Sequence, residues 1–162
     1  MKKLTLFLSL WYFHSGYSQS LPNLDEIKLE KPADYKTAEV IATQAATYLL
    51  STPFEKNDLD RLKSLQFVIK WMSGTPDYSF TLDNVATKIL KGNDDLLGLY
   101  MACMTKYSLE NKVSSTDAAE VKLNSIKMLL AYCENPDNNM RMTKALKKLS
   151  EANKKGELEK EL

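Results

Sequence analysis

Leu96-Leu97-Gly98-Leu99-Tyr100-Met101-Ala102-Cys103-Met104 is the stretch that decides the fold. It is apolar on almost every side of a helix, which in a chain without a membrane-length apolar run places it in the middle of a core. Asn93-Asp94 ahead of it supplies a helix cap. A central helix wrapped by others is therefore the organising expectation, and the leucine-, lysine- and alanine-rich composition, with five glycines and five prolines, suits helices better than strands.

Working outward, Asp34 is read as the cap of a first helix from Tyr35 to about Leu50, stopped by Ser51-Thr52-Pro53. Asn57-Asp58 caps a second helix to about Ser73, with a core stripe of Leu62, Leu65, Ile69 and Met72 and with Gly74 as a left-handed cap. Thr81 or Ser79 opens a third helix through Val85, Ala86 and Ile89 to Leu90, ending at Gly92. The central helix is the fourth. Thr116 caps a fifth from Asp117 to about Cys133, and Asn135-Pro136-Asp137 leads into a sixth from about Asn139 to Asn153, with Leu146, Leu149 and Ala152 inward. The expectation is an all-α, single-domain antiparallel bundle or short helical-hairpin array of about six helices over residues 34–153. A tetratricopeptide register set on Leu97-Gly98 fails, because Glu110 and Ser114 fall where small and aromatic residues belong.

The ends read differently. Lys2-Lys3, the apolar run Leu4 to Phe13 and the small polar exit Ser15 to Ser20 have the layout of a secretory signal peptide, too short for a membrane anchor. Cleavage after Ser18 is expected, giving segments 1–18 (signal peptide), 19–33 (extended lead-in) and 154–162 (charged, frayed tail), and a location in the periplasm or outside the cell. The formal charge is +1 from 22 basic and 21 acidic residues; losing Lys2 and Lys3 takes it to about −1, which argues against nucleic acid as a partner. The signal segment, together with Trp-Met-x-Gly-Thr-Pro-Asp-Tyr at 71–78, resembles uncharacterised small exported helical proteins of Bacteroidetes-type bacteria. That resemblance implies neither an activity nor site residues.

Several chemistries drop out. The single histidine, His14, lies in the segment expected to be removed, leaving no imidazole for acid–base work, a triad or zinc. Phosphate loops, the Gly-x-Ser-x-Gly elbow and haem-attachment motifs are absent, so no cofactor or metal is expected. Cys103 and Cys133, on a hairpin turning near Asn111, are expected about 20 Å apart, against a disulfide reach of about 7 Å, and so as separate free thiols.

The candidate binding residues are Phe67, Trp71, Tyr78 and Phe80. Aromatic side chains on a stiff Gly- and Pro-containing turn are common interface anchors, and Phe67 and Trp71 form a second apolar face beside the leucine stripe. The competing reading makes them a plug at the end of the bundle. Val121, Met128 and Tyr132 on the fifth helix are likewise either an inner layer or a partner face, and Arg141, Lys144, Lys147 and Lys148 give the sixth a basic side that reads as solvated. The functional expectation is a non-enzymatic, exported module that binds an envelope protein or surface component. The alternatives are a two-carboxylate enzyme acting on envelope glycans, and a small-molecule carrier with an apolar pocket between helices.

Overall fold

Side-chain caps set the helix starts. The Asn93 carboxamide accepts the Leu96 amide at 3.0 Å and opens the long central helix, and Asp58 accepts the amides of Asp60 and Arg61. The computed structural model describes residues 21–112 and 117–162. The expected signal segment, His14 and the Thr116 cap lie outside the described residues.

All regular structure among the described residues is helical, in eight α-helices rather than six. They are α1 (Pro32–Thr37), α2 (Glu39–Ser51), α3 (Leu59–Gly74), α4 (Asn84–Leu90), α5 (Asp94–Asn111), α6 (Ala118–Glu134), α7 (Lys144–Lys154) and α8 (Leu158–Glu161), with 3-10 turns at Leu24–Glu26 and Pro136–Asn138. Several of the expected boundaries divide or shift. The first helix breaks at Ala38, whose ψ of −1° is flatter than that of a regular helical residue. Only 2% exposed, Ala38 is small enough for the join to sit inside the core. Asp34 is not the cap but the third helical residue, its carboxylate taking the Lys31 and Glu30 amides. Those two amides hold its carboxyl below the ordinary range. Asp83, rather than Thr81 or Ser79, caps α4 through the Ala86 amide, and Thr143 caps α7 five residues later than the expected start.

Helix α5 packs against α2, α3 and α6, and joins two apolar clusters. Leu96, Leu99, Tyr100 and Cys103 belong to one, with Ile126, Leu129 and Leu130 of α6 and Leu146 and Leu149 of α7. Ala102 and Leu109 belong to the other, with Ala42, Ala45 and Ala46 of α2 and Phe67, Val68 and Trp71 of α3. The lead-in is not merely extended. Leu24 and Leu29 are buried in the second cluster, and Lys63 pairs with Asp25. The charged tail also differs from the frayed expectation: α8 packs on α7, Leu158 is 3% exposed, and Lys122 donates to Asp83 and to the Leu162 carbonyl.

Helix α3 is turned relative to the expectation. Its buried face is Arg61, Ser64, Phe67, Val68 and Trp71, while Leu62 is 44% and Ile69 38% exposed. The neighbour explains the choice. Helix α2 offers mostly alanines on its buried face, Ala42, Ala45 and Ala46 beside Leu49, leaving room that large rings fill at interior packing density.

Gly74 is not a left-handed cap but the last helical residue of α3, and its φ is not positive. Its place is dictated by Tyr35: a Cβ there would collide with the Tyr35 ring and hydroxyl, and that hydroxyl is held by the Leu29 carbonyl at 3.1 Å. Gly74→Ala is expected to lower stability by about 1–3 kcal/mol in chemical unfolding, the usual range for overpacking. Gly92 does carry the expected left-handed geometry, with φ of 74°.

Candidate functional site

The four aromatic candidates are brought together, but inward. Trp71 is fully buried and donates its indole N–H to the Tyr35 carbonyl at 2.9 Å; Phe67 is 5% exposed. Tyr78 and Phe80 are half-buried, with ring centroids 5.7 and 6.0 Å from Trp71 and 6.3 Å from each other. Burial, then the Glu39 charge, raises the Tyr78 hydroxyl above its ordinary range. The rings pack as a plug on the core. Phe67 and Trp71 offer no free surface, and Tyr78 and Phe80 offer part of one.

Tyr132 of the α6 stripe is likewise internal, its hydroxyl donating to the Thr52 carbonyl at 2.8 Å, with Val121 and Met128 half-buried against the first cluster. Cys103 and Cys133 are free and buried in that cluster. Burial pushes the Cys133 thiol up to about 12, and burial followed by the Cys133 charge raises Cys103 as well. Raised, buried thiols are poor nucleophiles.

The exposed apolar surface lies elsewhere. Of the five exposed large apolar residues among the described ones, three are on the outer side of α3: Leu59 at 69%, Leu62 and Ile69. Beside this ridge is a pocket of about 50 Å³ between α3, α5 and residues 54–56. Leu49, Leu65 and Leu99 form its apolar walls, with Gly98 also in the lining. A Cβ at position 98 would come within 2.8 Å of Leu65, so α3 rests directly on the α5 backbone there.

Arg61 stands at the pocket's inner wall, 5% exposed and without a carboxylate in ion-pair reach among the described residues. Its Nη1 donates to the Leu49 carbonyl, the Thr52 carbonyl and Thr52 Oγ1 at 3.0, 3.1 and 2.7 Å, and its guanidinium lies 5.6 Å from the Phe54 ring centre. These carbonyls end α2, where the helix dipole is negative, so the end of one helix balances the charge. Arg61 thereby ties α3 to α2 and shapes the pocket. Sequence reasoning passed over it, although an arginine recurring in step with Ser64, Val68 and Trp71 was the available signal.

Asp34 and Glu134 both have carboxyls shifted downward, Glu134 through the Ser150 hydroxyl and then Lys154. Glu55 and Asp95 sit at the pocket rim but are exposed. No group of His, Cys, Asp and Glu among the described residues could hold a metal ion, and no helix among them is long and apolar enough to cross a membrane. No known protein family, curated protein or solved structure matches the chain.

Proposed function

We propose that this protein is an exported, non-enzymatic binding module that receives an amphipathic helix of an envelope protein on the outer face of α3. The apolar ridge with its adjoining pocket carries this reading. Leu59, Leu62 and Ile69 recur at helical spacing and stay open to solvent on the side opposite Trp71, and burial of such a ridge is what an amphipathic helix supplies. The pocket is far below the roughly 300–1,000 Å³ of small-molecule sites and suits one anchoring side chain.

The test is comparative. A partner recovered from an envelope fraction with the unaltered protein is purified and titrated against Leu62→Asp, Ile69→Asp and the double variant. Affinity is expected to fall at least tenfold for each single change, while the melting temperature moves little because both side chains are already open to water. Equal affinity for the double variant would reject the ridge as the binding face.

A further inference from the structure

A second concave surface lies where α5 and α7 begin. Arg141, Lys144 and Lys147 line a cleft of about 500 Å³ together with Asn93, Met142 and Thr143. None of the ion pairs among the described residues involves these three cations. No carboxylate lines the cleft. The Asn93 oxygen is taken by the Leu96 amide and Thr143 Oγ1 accepts from the Leu146 amide, and the lining also carries the Asn93 amide nitrogen and the three cationic groups as donors.

The arrangement works against the stability of α7. Its first turn carries no acidic residue, and Lys144, Lys147 and Arg141 crowd the end where the helix dipole is already positive. Carboxylates are favoured at such an end and cations are not. Like charges gathered around one concavity, with no acid in its lining, repel one another less once a multiply charged anion enters. A monocarboxylate would leave most of that charge unbalanced; a phosphate or diphosphate group matches it, and a guanidinium suits two of its oxygens at once. The volume falls within the range of small-molecule sites.

We propose that this cleft binds a small molecule bearing a phosphate monoester or diphosphate group, held by Arg141, Lys144 and Lys147. The site is separate from the α3 ridge and does not depend on it. Inorganic pyrophosphate is the probe, titrated into the whole protein while amide resonances are followed by NMR. Saturable shifts are expected at Asn93 and at residues 143–147, and sodium acetate at equal ionic strength should not reproduce them. The variant Arg141→Gln/Lys144→Gln/Lys147→Gln is expected to bind at least tenfold more weakly. Lys36→Gln/Lys88→Gln/Lys127→Gln, which removes the same charge from other exposed positions, should change affinity less than twofold. Lys147→Gln alone, expected to lose about threefold, serves if the triple variant does not fold. Equal weakening by the two triple variants would show only a diffuse field and overturn the proposal. So would unsaturable shifts, or binding to phosphatidylglycerol vesicles with none to pyrophosphate, which would make the patch a membrane contact.

Discussion

Trp71→Ala is expected to cost about 4 kcal/mol or more in denaturant unfolding and to lower the melting temperature by roughly 12 °C or more. Two contributions add. Truncating a fully buried indole removes its burial and leaves a cavity bounded by Tyr78, Phe80 and the alanines of α2, and the Tyr35 carbonyl loses its donor. Trp71→Phe separates them: it keeps most of the volume and should cost about 1–2 kcal/mol, the range of a lost buried hydrogen bond and a small void. A loss below about 2 kcal/mol for the alanine variant would mean that the rings are not a plug, and would reopen the aromatic turn as a binding anchor.

Arg61→Ala is expected to be nearly as damaging, at about 3–5 kcal/mol. Hydrogen bonds from a charged donor contribute about 1.5–3 kcal/mol each, and carbonyls left buried without a partner add a desolvation cost. The variant leaves the Leu49 carbonyl with no donor from α3 and the Thr52 carbonyl with Tyr132 alone. Arg61→Lys retains the charge on a shorter point donor without the planar fork, and should recover only part of the loss. An alanine variant as stable as the parent would show that the α2 terminus is satisfied by solvent and that the guanidinium does not tie the two helices. Because Arg61 also walls the pocket beside α3, the lysine variant reports on binding where the alanine variant reports on folding.

Local chemistry is legible in residues a few positions apart, and the sequence by itself determined what depends on it. The all-helical class, the central place of residues 96–104, the caps at Asp58 and Asn93, the left-handed Gly92 and the inward Leu146 and Leu149 each follow from a side chain and its near neighbours along the chain. The candidate site was legible only as a list of aromatics. Which face of α3 turns inward was not, because Leu62-Leu65-Ile69 and Phe67-Trp71 are both apolar stripes, and the alanine surface of α2 selects between them by volume. Gly74 was recognisable as a glycine with a reason, but the reason is the Tyr35 ring, 39 positions earlier in the chain. Only the tertiary structure decided that the aromatics close the core, that the leucine ridge faces water, that Arg61 holds the end of α2, and that Asn93 and Arg141 meet at one cleft. Each of these is a fit between surfaces distant in sequence, and neither surface states its partner's shape.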